Sequence, residues 1–216
     1  MKINIDENSG FCWGVVRTID IAEQSLENAG GADTYVLGQI IHNPKESDRL
    51  KEKGLGTITH DDFEKLKGTN SQIIIRAHGE PPSTFQKADE YGLKIIDATC
   101  PLVTISKDRI RDKYEQGWKI VTYGKNEHAE VIGFDGVCNN EAVIITSLEE
   151  ALEKVDLSRK TILFSQTTMD KGKYFEIRDA LKKKVTDFMD VGDIKDSFMA
   201  KDSICHFVYG REDNLR

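Results

Sequence analysis

The 216-residue sequence predicts an α/β protein with parallel sheets, on three observations. Short apolar runs alternate with helical stretches along the whole chain, the pattern of strand–helix–strand units. Histidines, cysteines and a glutamate recur just after those runs, where parallel sheets carry their ligands. No long linker or low-complexity segment breaks the alternation, and a soft domain boundary falls near Cys100, where it restarts.

In chain order, residues 2–5 alternate as a first strand and Asn8-Ser9-Gly10 signals a turn. A helix follows with Val15, Ile19, Ala22 and Leu26 on one face, closed by Gly30-Gly31. Residues 34–41 read as a strand running into His42-Asn43-Pro44, then a helix over 45–53 closed by Gly54. Residues 61–66 form a short helix behind a solvated His60. A strand over 72–76 ends in Ala77-His78-Gly79, and Pro81-Pro82 opens a helix to about Tyr91. Residues 93–97 are a strand, Cys100 a helix N-cap, and Pro101 the first helical residue, where a missing N–H costs nothing. A thiol at such a cap faces unpaired N–H groups and the positive end of the helix dipole, which favours thiolate. That helix ends at Gln116-Gly117, and a strand over 118–123 leads into His128-Ala129-Glu130-Val131. Strands over 142–145 and 161–164 flank a helix over 148–154. Gln166-Thr167-Thr168 and a helix over 171–184 follow. Residues 188–200 carry no clear pattern, and Ser203-Ile204-Cys205 closes the series.

Composition narrows the function. Thirty basic against 37 acidic residues give a net charge of −7, which argues against general nucleic-acid binding and against anionic membrane surfaces. No apolar run approaches the ~20 residues of a membrane span. The start, Met1-Lys2-Ile3-Asn4-Ile5-Asp6, is too polar for a signal peptide, so a cytoplasmic location is expected. There the four cysteines, at 12, 100, 138 and 205 with no C-x-x-C pair, are expected to be buried, catalytic or metal-bound rather than cross-linked.

Cys12, His42, His78, Cys100, His128, Glu130 and Thr167 stand after predicted strands, and Cys205 is read the same way, so a shared pocket is expected. Imidazoles and helix N-termini suit phosphate oxygens. Thiolates suit soft metals and iron–sulfur clusters. Cys138 has no strand before it and is read as structural. Three cysteines would leave one iron of a four-iron cluster open, as at a metal that does chemistry. A cysteine–histidine thiol enzyme with Cys100 as nucleophile uses the same residue types, and a metal-free phosphate-binding module is a third reading.

Several motifs occur together: Gly10-Phe11-Cys12-Trp13-Gly14-Val15, Ile41-His42-Asn43, Arg76-Ala77-His78-Gly79, Asp97-Ala98-Thr99-Cys100-Pro101-Leu102-Val103, His128-Ala129-Glu130-Val131, Gln166-Thr167-Thr168 and Asp202-Ser203-Ile204-Cys205. In this order the set resembles the 4-hydroxy-3-methylbut-2-enyl diphosphate reductase family of the non-mevalonate isoprenoid pathway, over essentially the whole chain. The resemblance implies a pseudo-threefold arrangement of parallel α/β lobes around a 4Fe-4S cluster. It implies lobes at 14–100 and 101–200, with 1–13 and 201–216 belonging to a third. Cys12, Cys100 and Cys205 would hold the cluster, and a ferredoxin or flavodoxin would supply electrons. His42, His78, His128 and Thr167 would line the site of an allylic diphosphate substrate, with Glu130 as proton source and His128 and Thr167 beside it in catalysis. Ala129 stands where the family usually has proline, an exchange expected to loosen the Glu130 loop, and the family's Ser-x-Asn element and a further serine have no counterpart before Arg216. The resemblance thus implies a chain lacking most of its third lobe, expected to take up a cluster poorly and to turn over substrate slowly or not at all.

Overall fold

Strands such as Ile73-Ile74-Ile75 have no polar side and must be covered on both faces, which a parallel sheet between helices provides. A computed structural model describes residues 9–188 and 196–214. The strand expected at 2–5 lies outside the described residues, as do residues 189–195 of the unpatterned stretch. The chain divides into two units. One holds the described residues up to Gly79, Thr84–Pro101 and 210–214; the other holds Glu80–Ser83 and the described residues of Leu102–Tyr209.

The first unit contains α1 (Trp13–Glu27), β1 (Thr34–Leu37), α2 (Pro44–Glu52), β2 (Gly56–Ile58), β3 (Gln72–Ile75), most of α3 (Pro82–Glu90) and β4 (Lys94–Asp97). Its sheet is parallel in the order β2-β1-β3-β4, with Val36 opposite Thr57 and Ile74. Alternation along β3 sends Ile74 to a core with Ile19, Ala22, Val36 and Leu50, and Ile73 and Ile75 to another with Leu37, Phe63 and Leu93. Each of the larger side chains among them contributes ~1.5–3 kcal/mol when fully buried.

The predicted strand over 34–41 stops at Leu37. Gly38 turns the chain at φ +71°, and the Arg76 guanidinium lies 2.6 Å from where a Cβ would stand, so Ile40 and Ile41 are buried outside the sheet. Residues 60–66 form two single 3-10 turns, His60–Asp62 and Glu64–Leu66. His60 is exposed, as expected, and its Nε2 lies 3.1 Å from Thr84 Oγ1.

The second unit carries α4 (Pro101–Glu115) after its first residue, then β5 (Lys119–Tyr123), α5 (Ala129–Gly136), β6 (Val143–Ile145), α6 (Leu148–Lys154), β7 (Thr161–Ser165), α7 (Lys171–Phe188), β8 (Phe198–Ala200) and the start of α8 (His206–Asn214). Its parallel sheet runs β6-β5-β7-β8, the same order as in the first unit. Val121, Tyr123, Leu163, Tyr174, Ile177 and Leu181 form its core on the α7 side. Among the described residues no helix is long and apolar enough to cross a membrane.

Candidate functional site

In a sheet ordered 2-1-3-4 the winding direction reverses between the first and third strands, and a crevice opens beyond their carboxyl ends. In the first unit these strands are β1 and β3, and the chain leaves them toward His42 and His78. The two rings meet there, centroids 4.8 Å apart and tilted by 49°. Asn43, next to His42, caps α2 by accepting from the Glu46 N–H at 3.2 Å, so an anion near His42 also meets a helix N-terminus.

Both cysteines of this unit lie on helix entries. Cys12 is the extended N-cap of α1, and its thiol makes no capping bond. Cys100 sits between β4 and α4 in a loop held from several sides. Asp97 Oδ1 accepts from the Thr99 N–H (2.9 Å) and from the Thr99 hydroxyl. The Cys100 N–H donates to the Ala77 carbonyl (2.9 Å). Arg17 and Thr18 on α1 donate to the carbonyls of Thr99 (3.1 Å) and Ala98 (3.0 Å). Gly14, two residues after Cys12, faces the Cys100 thiol so closely that a Cβ would stand 2.6 Å from Sγ. Gly14→Ala should favour the helix by about 0.8–1.0 kcal/mol from propensity. Overpacking against sulfur costs roughly 1–3 kcal/mol, and we expect it to win. Denaturant unfolding measures the difference, and a variant as stable as the parent would show that the thiol has room to move aside.

The second unit repeats the plan with other groups. β5 leads to His128 and Glu130, and β7 leads to Gln166 and Thr167. His128 caps α5, its Nδ1 accepting from the Glu130 N–H at 3.2 Å. The proton of the neutral ring is therefore on Nε2, which can donate to a ligand oxygen. Ala129 is the first residue of α5, a position that accepts alanine or proline alike. Glu130 is 1% exposed. Its Oε1 accepts from the Thr167 N–H (2.7 Å) and its Oε2 from the Thr167 hydroxyl (2.8 Å). Burial outweighs these two bonds and pushes the Glu130 carboxyl up to about 7. Gly124 makes the turn possible, since a Cβ would stand 2.7 Å from Val131 and 3.1 Å from Gln166. Cys205 follows β8, and its N–H donates to the Thr167 carbonyl at 2.8 Å.

Within one unit or the other, the structure thus pairs His42 with His78, sets Cys100 against the turn that Cys12 caps, and joins Glu130 and Cys205 to Thr167. Cys138 stands apart from these groups. It is fully buried behind α5, its thiol donates toward the carbonyls of Phe134 and Asp135, and burial followed by the Asp135 charge pushes it up to about 12. The sequence alone does not single out Arg17 and Thr18, and it gives Gly14, Asp97 and Asp202 a place in the motifs but no role. One signal was present for the last two: the Asp-x-x-Cys spacing occurs at 97–100 and again at 202–205.

Two doubly wound sheets of one strand order, each with reactive or hydrogen-bonding side chains beyond its carboxyl end, define a lobed α/β protein. The model of the LytB protein family matches residues 3–216, and the chain belongs to that family. It is 42% identical over 227 residues to a 4-hydroxy-3-methylbut-2-enyl diphosphate reductase of Chloroherpeton thalassium, covering 100% of this chain and 71% of that protein. It is 44% identical over 220 residues to the Bacteroides fragilis protein of the same name, of which it covers 72%. A solved structure of (E)-4-hydroxy-3-methyl-but-2-enyl diphosphate reductase, described as the terminal enzyme of the non-mevalonate pathway, superposes with a TM-score of 0.80 at 31% identity, over 99% of this chain and 71% of that one. The reductase of Plasmodium falciparum superposes with a TM-score of 0.81 at 27% identity, over 94% of this chain and 61% of that one.

Proposed function

We propose that this chain reduces 4-hydroxy-3-methylbut-2-enyl diphosphate, removing its hydroxyl as water to give isopentenyl and dimethylallyl diphosphate. The step consumes two electrons and two protons. The C–O bond breaks, one proton leaves with the hydroxyl as water, and a new C–H bond forms on the allyl group. The observation that carries the reading is Glu130, a buried carboxyl pushed up to about 7 and clamped through both oxygens by Thr167. Such a group is about half protonated at neutral pH and can release its proton to a leaving hydroxide, as a general acid must.

The family implies a 4Fe-4S cluster, and the donor set fits one. Cys12, Cys100 and Cys205 are thiols outside any disulfide, each partly exposed at the entry to a helix, whereas Cys138 is sealed in the core. These three residues would hold the cluster. When bound, it supplies electrons one at a time and a Lewis-acidic iron for the hydroxyl oxygen.

The remaining work falls to side chains. His42 and His78, beside the capped start of α2, bind diphosphate oxygens, and His128 donates from Nε2. In a chain of net charge −7 the diphosphate depends on such local donors. Thr167 holds Glu130 in one orientation and excludes water from its carboxyl. The same reading takes 14–100 and 101–200 as two lobes with the flanking residues in a third. It takes a ferredoxin or flavodoxin as donor and the cytoplasm as location, where disulfides are rare.

Anaerobic treatment with iron and sulfide tests the reading, followed by assay with a low-potential reductant and the hydroxylated diphosphate. We expect brown, visible-absorbing protein that releases both products. Protein that stays colourless, with rapid alkylation at Cys100 alone, would favour a thiol enzyme instead.

A further inference from the structure

The two cysteine loops that follow the fourth strands are equivalent in register but built differently. In the first unit the main-chain ladder continues past β4: the Ala98 N–H donates to Ile75 (3.0 Å) and the Cys100 N–H to Ala77 (2.9 Å). In the second unit the Lys201 N–H donates to Leu163 (2.8 Å) and the Cys205 N–H to Thr167 (2.8 Å). Three residues lie between the rungs at 163 and 167, and the one that stands where Ile75 stands in the first sheet is the middle one, Ser165. Ser203, the counterpart of Ala98, reaches it with its side chain. Its hydroxyl accepts from the Ser165 N–H (2.9 Å) and donates to the Ser165 carbonyl (2.6 Å), with Ser165 Oγ a further 3.2 Å contact. The neighbouring Ile204 N–H turns to Asp202 Oδ1 (3.0 Å), and Lys171 approaches the other oxygen of Asp202 at 3.5 Å.

We propose that Ser203 is a positioning residue for Cys205. Its hydroxyl stands in for a main-chain rung and splices the loop onto the end of β7, which fixes the thiol that the proposed function assigns to the cluster. Ser165 is fully buried, so its amide and carbonyl have no water to turn to if that hydroxyl is removed. The splice also ties the loop to the strand that leads into Thr167, so one short stretch of β7 sets both Cys205 and the clamp on Glu130. The inference rests on the assignment of Cys205 as a ligand, but the splice itself is read in the cluster-free chain.

Ser203→Ala and Ser203→Thr test it. In cluster-free protein, alkylation of each cysteine is followed by peptide mapping, and exchange of the Ser165 amide by hydrogen–deuterium exchange. Ser203→Ala should speed alkylation of Cys205 about five- to thirtyfold, the scale of one or two net hydrogen bonds, and should expose the Ser165 amide to exchange. Cys12 and Cys100 should keep their rates, and Cys138 should stay slow, which reports an intact core. Ser203→Thr keeps the hydroxyl and should restore the parent rate. In iron-loaded protein, Ser203→Ala should lose iron to a chelator faster than the parent. An unchanged Cys205 rate in Ser203→Ala would overturn the proposal, since the main chain would then close the rung as at Ala98. A rate that rises equally at all four cysteines, or a Ser203→Thr variant as reactive as Ser203→Ala, would overturn it too. If the parent binds no iron and sulfide while the Cys205 effect appears, the splice stands and the assigned function fails. If Cys205 is loosened but iron is lost at the parent rate, positioning of a ligand is refuted.

Discussion

Glu130→Gln should retain iron and bind the diphosphate, yet turn over ~10²-fold or more slowly, the usual scale for a lost general acid. The glutamine keeps the shape of the side chain and can still accept from the Thr167 N–H, so binding and packing are spared while the transferable proton is lost. The carboxyl also predicts a pH profile. With Glu130 pushed up to about 7, the parent should be active with the group protonated and lose kcat as pH rises past neutrality. Stability follows the same sign. The folded carboxyl holds its proton more tightly than the unfolded one, whose ordinary value is 4.5. The stability linked to that proton is complete below about 4.5 and disappears as pH rises through about 7. The full difference is on the order of 3 kcal/mol at ~1.4 kcal/mol per pH unit. Glu130→Gln does not titrate there, so it should gain on the parent between pH 5 and pH 8 in denaturant unfolding. A variant with parental kcat, or a stability gap that ignores pH, would refute the role.

Serine at Cys12, Cys100 or Cys205 should abolish stable loading of iron and sulfide and bring turnover to background. Serine at Cys138 should leave both intact. The contrast follows from setting: three thiols lie partly open at helix entries, while Cys138 is enclosed, bonded to the carbonyls of Phe134 and Asp135, and costly to ionise. Cys138→Ser exchanges one small hydrogen-bonding group for another. Loading that survives Cys12→Ser but fails in Cys138→Ser would sink the ligand assignment.

Local signals carried most of the fold. Pro101 at a helix start, Asn43 before Pro44 and the triple isoleucine of β3 each act within a few residues, and each element lies where those signals put it. What failed was short or decided from a distance. β2 is only Gly56-Thr57-Ile58, too brief for alternation to register. α5 went unrecognised because Gly133 and Gly136 interrupt it and its apolar residues lie on all sides. The strand expected over 34–41 overshoots because the apolar run continues to Ile41, while the left-handed turn at Gly38 is packed against Arg76, far along the chain. The site shows the same division. Its residue types were visible as a series behind strands. The contact of His42 with His78 and of Glu130 with Thr167 depends on the 2-1-3-4 strand order, which no local pattern encodes. The role of Ser203 needs the register of β8 on β7.

The strand order also sets a timetable. In each sheet the strand next to the cysteine loop is the last to be made: β4 ends at Asp97 three residues before Cys100, and β8 ends at Ala200 five residues before Cys205. Translation at roughly 5–20 residues per second leaves about 4–20 s between Cys12 and Cys100, and again between Cys100 and Cys205, as they emerge from the ribosome. Cys100 and Cys205 each meet a sheet that has just been completed. Metal captured early by Cys12 alone would have a single sulfur ligand for that interval. If the three cysteines act as ligands as proposed, loading is expected after synthesis, and the nascent chain passes through a window in which these thiols are open to oxidation before the set is complete.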